Sequence, residues 1–174
     1  MTDWIDLEAR IRAHSPFLAR QMDRYPAVVA LLAAGDFDAA MAAAQAQGVP
    51  EDGVAKSLRR RRGAIALVTA AADLAGAWDM DRVTRTLSDF ADQALAEALA
   101  ATFAERYPDA VPQGFVVLAL GKHGSRELNY SSDIDPNKVI NWKRMEAVNG
   151  AYGCMGDLGM HVLHVPLRLG WRKN

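Results

Sequence analysis

The sequence predicts a mostly α-helical protein, with a helical region over residues 1–110 followed by a partial α/β core over residues 111–174. Apolar residues recur at helical spacing through the first region, and alanine dominates its composition. A compact apolar run from Phe115 to Leu120 then has the length and β-branched content of a buried strand. These observations place helices first and a strand-containing unit after them.

Composition limits the classes of protein that fit. Of 174 residues, 51% are hydrophobic and 24% are charged, which is typical of globular rather than disordered chains. No apolar run approaches the ~18 residues that a membrane span needs, and the N-terminus lacks a signal-peptide pattern. The net charge of −1 gives no general attraction to nucleic acid. We therefore expect a cytoplasmic protein that binds neither membrane nor nucleic acid.

The first two helices are predicted from cap residues and one apolar face. Asp3 is the expected N-cap of a helix that runs to His14, and its apolar residues are spaced for one face: Trp4, Ile5, Leu7 and Ile11. Ser15 followed by Pro16 is a typical N-cap and first helical position, so a second helix should begin there.

Proline, glycine and aspartate mark the next two helices. Pro26 opens a short apolar helix that Gly35 ends, because glycine readily takes the left-handed conformation that follows many helices. Asp36 caps an alanine-rich helix that Gly48 and Pro50 close.

Two longer helices complete the region. One is expected from Glu51 to Leu74, with Gly76 ending it. Asp79 and Asp81 then place negative charge at the start of the last helix, where it favours the helix dipole. The apolar stripe of that helix consists of Val83, Leu87, Phe90, Ala94, Leu95, Leu99 and Phe103.

Four consecutive arginines, Arg59 to Arg62, lie within the longer of these patterns. Guanidinium groups bind phosphate well, so contact with a nucleotide or an acidic partner is one interpretation. Consecutive helical residues spread over all faces, however, and cannot form a single patch. We favour a role in solvation or in anchoring the helix.

The most informative segment runs from Gly121 to Asp135 and reads GKHGSRELNYSSDID. On a strand, Asp133 and Asp135 project to the same face. Two convergent carboxylates form a hard-oxygen site that suits Mg²⁺ and substrate phosphates. The alternative is that these aspartates only close a turn or cap a helix.

The glycine-serine turn in this segment is a candidate phosphate site. Gly124 and Ser125 would let backbone N–H groups and a hydroxyl approach phosphates. Lys122 either neutralises phosphate charge beside the turn or is a cation at a strand end. His123 is either a proton donor near the phosphates or a substitution that the turn tolerates. We favour the second interpretation.

A strand, a glycine-serine turn and paired aspartates form the recurring core of nucleotidyltransferases, and this segment resembles the signature of one family among them. It is similar to the first of two catalytic copies in the glutamine synthetase adenylyltransferase family, whose members attach AMP to glutamine synthetase and remove it. The likeness covers residues 15–135. His123 and Ser125 depart from the family's usual leucine and glycine.

The resemblance implies a polymerase-β-like nucleotidyltransferase core that is incomplete. It implies ATP or an AMP-protein as substrate, Mg²⁺ as cofactor and glutamine synthetase as partner. Asp133 and Asp135 would be the catalytic and metal-binding residues, and Lys122, Gly124 and Ser125 would bind the nucleotide. The reaction would transfer AMP to a protein tyrosine or remove it by phosphorolysis.

The tail from residue 136 differs from the sequence pattern of the family. Pro136 follows the second aspartate where the family continues into an apolar strand, and alanine becomes rare. Residues 165–169 either resemble the family strand that carries a third carboxylate, with Pro166 in the place of its aspartate, or match it by chance. The candidates for that carboxylate are Asp157 and Glu146. We interpret the tail as foreign to the family and the family sequence as truncated after the motif, by a frameshift, a rearrangement or a truncated gene. The chain is therefore an adenylyl-transferring enzyme, a silent helical module that binds a partner, or a minimal nucleotidyltransferase with another target.

Overall fold

The computed structural model describes residues 3–49, 51, 53–108 and 117–132. Helices make up most of these ranges, which confirms the prediction of a mostly α-helical chain. The helices are α1 (Trp4–His14), α2 (Pro16–Arg24), α3 (Pro26–Ala33), α4 (Phe37–Gln45), α5 (Val54–Leu74), α6 (Met80–Arg106) and α7 (Gly121–Gly124). The chain forms two compact units, Met1–Ala101 and Thr102–Asn174.

Polar side chains cap the helix starts as the sequence predicts. Asp3, Ser15 and Asp36 each accept a backbone N–H from the first turn of the helix that follows. Asp79 Oδ1 likewise accepts the backbone N–H of Arg82 at 2.8 Å, at the start of α6. These bonds satisfy donors that have no partner inside the helix, so local sequence is enough to set where these helices begin.

The predicted start of α5 at Glu51 is wrong by three residues. The helix begins at Val54, because Gly53 has a φ of 79° and a left-handed residue cannot continue into a right-handed helix. Its end at Leu74 is as predicted.

Helix α5 is the centre of the first unit. From Gly63 to Ala72 it is buried at nearly every position. A Cβ at Gly63 would lie 2.5 Å from Gln21 Oε1 and 3.3 Å from the Tyr25 hydroxyl, so glycine lets α5 approach α2 closely. The core around it consists of Leu7, Ile11, Met22, Val28, Leu32, Ala40, Ala44, Ile65, Leu67, Val68, Trp78 and Val83.

The arginine run contributes to this packing through Arg61. Its Nη1 donates to Glu97 Oε1 at 2.6 Å and its Nη2 to Gln93 Oε1 at 3.1 Å. Its guanidinium lies 5.7 Å from the centre of the Phe90 ring. Arg59, two positions away, is exposed. The run therefore ties α5 to α6, as the helix-anchoring interpretation predicts.

The second unit is described only in part. Residues 115 and 116 of the predicted strand lie outside the described residues, and in the part that follows Leu118 forms a single β-bridge. Of the predicted α/β core over residues 111–174, the structure describes residues 117–132, and residues 133–174 lie outside the described ranges. Among the helices that the structure describes, none is long and apolar enough to cross a bilayer.

Removing the cap of α4 should have a modest, local effect. Asp36 Oδ1 accepts the Ala39 N–H at 2.9 Å, so Asp36→Ala should lower the free energy of unfolding by about 1 kcal/mol. Asn caps equally well, so Asp36→Asn should stay close to the parent protein. Urea denaturation measures both. An equal loss in the two variants would assign the effect to charge rather than to the cap.

Candidate functional site

The structure places three of the five sequence-predicted site residues on one short segment. Lys122, Gly124 and Ser125 belong to α7 or follow it directly, whereas Asp133 and Asp135 lie outside the described residues. The described chain continues to Ser132, which is bonded to Asp133. The described part of the site is therefore the glycine-serine turn and the segment that leads into the aspartates.

Gly124 has a steric role in the turn. A Cβ at this position would lie 2.6 Å from the carbonyl oxygen of Ala119 and 3.1 Å from its carbonyl carbon. Real Cβ atoms do not approach backbone so closely, and the backbone has no flexible end that can move aside. Glycine is thus required for the turn to pack against the residues before it.

The backbone N–H groups of Gly124 and Ser125 already donate hydrogen bonds to nearby carbonyl oxygens. The Gly124 N–H donates to Leu120 O at 3.4 Å and the Ser125 N–H to Gly121 O at 3.0 Å. The glycine-serine pattern predicts that these N–H groups approach phosphates. In this structure, side chains are the better candidates for that contact.

Ser125 and Lys122 present such side chains, and both residues are exposed. The Ser125 hydroxyl lies 3.2 Å from Gly121 O, 3.3 Å from Lys122 O and 3.0 Å from Glu127 Oε2. A hydroxyl has one hydrogen, so these acceptors are alternatives, and its lone pairs remain available. The turn therefore offers an ammonium group and a reorientable hydroxyl at the protein surface.

His123 is buried, with 2% of its surface exposed. Leu128, also buried, follows it in the same segment. A side chain that donates a proton to a bound phosphate must contact that phosphate, and a buried side chain is poorly placed to do so. Burial therefore favours the interpretation of His123 as a tolerated substitution.

Asn129 is a structural residue of the site that the sequence analysis did not identify. Its Oδ1 accepts hydrogen bonds from Ser131 N at 3.2 Å, Ser131 Oγ at 3.2 Å and Ser132 Oγ at 2.8 Å. Its own N–H donates to Ser132 Oγ at 3.0 Å. This arrangement orders the backbone directly before Asp133. The spacing Asn-x-Ser-Ser is a recognisable turn signal and would have predicted it.

Within the ranges that the structure describes, no group of three or more His, Cys, Asp or Glu side chains is placed to hold a metal ion. The candidate carboxylates Asp133 and Asp135 are not among those residues. The metal site of the sequence analysis thus remains a prediction about these two aspartates.

Known proteins match this chain over most of its length. The family model described as Glutamate-ammonia ligase adenylyltransferase matches residues 6–152, which extends beyond Pro136, where the composition changes. No solved structure matches the chain significantly.

Three curated relatives are each named bifunctional glutamine synthetase adenylyltransferase/adenylyl-removing enzyme. The protein of Xanthobacter autotrophicus is 47% identical over 104 residues, which are 53% of this chain and 10% of the relative. That of Caulobacter vibrioides is 37% identical over 144 residues, 73% of this chain and 15% of the relative. That of Burkholderia mallei is 37% identical over 154 residues, 78% of this chain and 16% of the relative. The chain therefore spans a small part of these relatives' length, and it belongs to the glutamate-ammonia ligase adenylyltransferase family.

Proposed function

We propose that this chain carries a nucleotidyl-transfer site that moves AMP onto, or off, a tyrosine of glutamine synthetase. Family membership supports the class of reaction, and the names of the relatives indicate both directions of transfer and glutamine synthetase as the partner. The observation that carries the proposal is the ordered segment from Gly121 to Ser132, which presents a cation and a hydroxyl and leads directly into Asp133.

The proposed reaction is a displacement at phosphorus in either direction. For transfer, the tyrosine oxygen bonds to the α-phosphorus of ATP, the bond to the β-phosphate oxygen breaks, and pyrophosphate and the phenolic proton leave. For removal, an oxygen of orthophosphate bonds to the phosphorus of AMP-tyrosine, the bond to the tyrosine oxygen breaks, and ADP leaves while the tyrosine regains a proton. Neither direction needs a covalent nucleophile from the protein.

The turn residues bind and orient the phosphates in this proposal. Lys122 supplies positive charge and the Ser125 hydroxyl supplies a hydrogen bond, both from exposed positions. Gly124 allows the turn to pack on Ala119 and so fixes where those two groups stand. Rigid placement matters because phosphoryl displacement depends on positioning and on preorganised charge.

The family also implies Mg²⁺, and the donor chemistry of the chain fits it. Asp133 and Asp135 provide hard carboxylate oxygens one residue apart, which is the ligand type that Mg²⁺ prefers. These two residues would hold the ion. When bound, it would polarise the phosphoryl oxygens and offset their charge.

The test is nucleotide-dependent stabilisation of the chain. A ligand that binds only the native state stabilises it, so Mg-ATP at ~100 times its dissociation constant should raise the melting temperature by about 5 °C. The Asp133→Asn/Asp135→Asn double variant should lose that increase, because its metal ligands are removed. An Asp6→Asn/Glu105→Gln double variant removes the same charge from exposed helical positions and should keep it.

Each outcome separates the proposal from its alternatives. An equal shift in the aspartate variant would place nucleotide binding away from the motif. No shift in the parent protein, with the helices intact by circular dichroism, would favour a catalytically silent helical module that binds a protein partner.

A further inference from the structure

Arg126 has a backbone conformation that arginine rarely adopts. Its φ is 61°, and among the described residues no other residue except glycine has a positive φ. In this left-handed region Cβ crowds the carbonyl oxygen, so a residue with a side chain is strained there. Strain of this kind persists where the surrounding structure or the function requires it.

The turn itself explains why a left-handed residue is needed. After α7, the Arg126 N–H donates to His123 O at 3.0 Å and the Glu127 N–H donates to Lys122 O at 2.7 Å. This pair of bonds defines the Schellman motif, which ends a helix with a left-handed residue that is usually glycine.

The same chain uses glycine at two equivalent helix ends. Gly35 after α3 and Gly76 after α5 have φ values of 76° and 67°. Gly35 donates to Leu32 O at 3.0 Å and Gly76 to Asp73 O at 2.9 Å, and the next N–H in each case closes the second bond. Backbone geometry alone would therefore place glycine at position 126, so the arginine side chain needs a separate explanation.

The position of that side chain supplies the explanation. Arg126 is exposed and closes a turn that also carries the exposed Lys122 and Ser125. The exposed Glu127 carboxylate, which accepts the Ser125 hydroxyl at 3.0 Å, offsets part of the positive charge of this surface. A guanidinium group on the same turn as an ammonium group suits an anion with several oxygens, because it donates two parallel hydrogen bonds.

We propose that Arg126 is a phosphate-contacting residue of the nucleotide site and is kept in a strained conformation for that contact. This inference rests on the proposed function, since it assigns a further residue to the same site. The phosphate groups belong either to the nucleotide or to the free orthophosphate that adenylyl removal consumes.

The test replaces Arg126 with residues that suit the backbone but carry no charge. In Arg126→Gly and Arg126→Asn, the Glu127 amide should keep its protection from hydrogen exchange, because both residues tolerate the left-handed conformation. Affinity for phosphate should fall about tenfold in both, as expected for loss of a charge-assisted hydrogen bond. Calorimetric titrations with Mg-ATP, ATP without metal, and orthophosphate distinguish the two sources. Arg59→Ala, which removes an exposed arginine from α5, should bind as the parent protein does.

The results separate this inference from the proposed function. Unchanged affinity for all three ligands in both Arg126 variants would overturn the inference while leaving the nucleotide site intact. If the parent protein binds none of them, both fall. Weaker binding of metal-free ATP in the variants supports Arg126 independently of Asp133 and Asp135, and weaker binding of orthophosphate alone identifies the anion as free phosphate. If the Glu127 amide loses its protection from hydrogen exchange in Arg126→Gly, the turn itself has changed in that variant. The affinities of Arg126→Asn then decide whether the inference holds.

Discussion

Leu67→Ala is expected to lower the free energy of unfolding of the helical unit by about 3 kcal/mol. Leu67 is completely buried at the middle of α5, and the residues one turn away on either side are buried as well: Gly63, Ala64, Ala70 and Ala71. Truncation removes apolar contacts and leaves a cavity that close-packed helices cannot fill.

The matched control lies on the same helix. Leu74 ends α5 and is 44% exposed, so Leu74→Ala makes the same chemical change with little cavity and should cost under about 1 kcal/mol. Urea denaturation followed by circular dichroism measures both variants. Similar losses at the two positions would mean that α5 is not the centre of the core.

The sequence was sufficient for the helix starts because the determinants are local. Ser15 and Asp36 cap the helix that follows them within three residues, and this geometry needs no tertiary contact. The start of α5 was misplaced because the conformation of Gly53 depends on the loop that it belongs to. The close approach of Gly63 to Gln21 depends on packing between helices and has no local signal.

The candidate site was less predictable from the sequence than the helix starts were. The resemblance identified the segment and its family, and the comparisons confirm that family. The helical turn α7 was not predicted, because a single turn has no periodicity and is fixed by the contact between Gly124 and Ala119. Arg126 was missed for a related reason: a left-handed arginine is a property of the folded turn, not of its sequence. The roles of Asp133 and Asp135 remain predictions.

The second large effect is expected at the turn itself. Gly124→Ala places a Cβ 2.6 Å from a carbonyl oxygen, so the turn must move away from Ala119. Overpacking of this kind costs about 2 kcal/mol, which corresponds to a ~30-fold increase in opening of the turn. The Glu127 amide, which donates to Lys122 O at 2.7 Å, should lose protection from hydrogen exchange by that factor.

The functional consequence of Gly124→Ala should exceed its effect on stability. A displacement of ~1 Å in groups that position a phosphate costs on the order of 100-fold in rate, so AMP transfer by a protein that contains this chain should fall by about that factor. Gly63→Ala is the matched control, because its Cβ meets the movable end of Gln21 rather than backbone and lies in the helical unit. It should leave Glu127 protection and transfer unchanged. Full protection and activity in Gly124→Ala would show that the turn has room for a side chain, and the steric role assigned to Gly124 would be wrong.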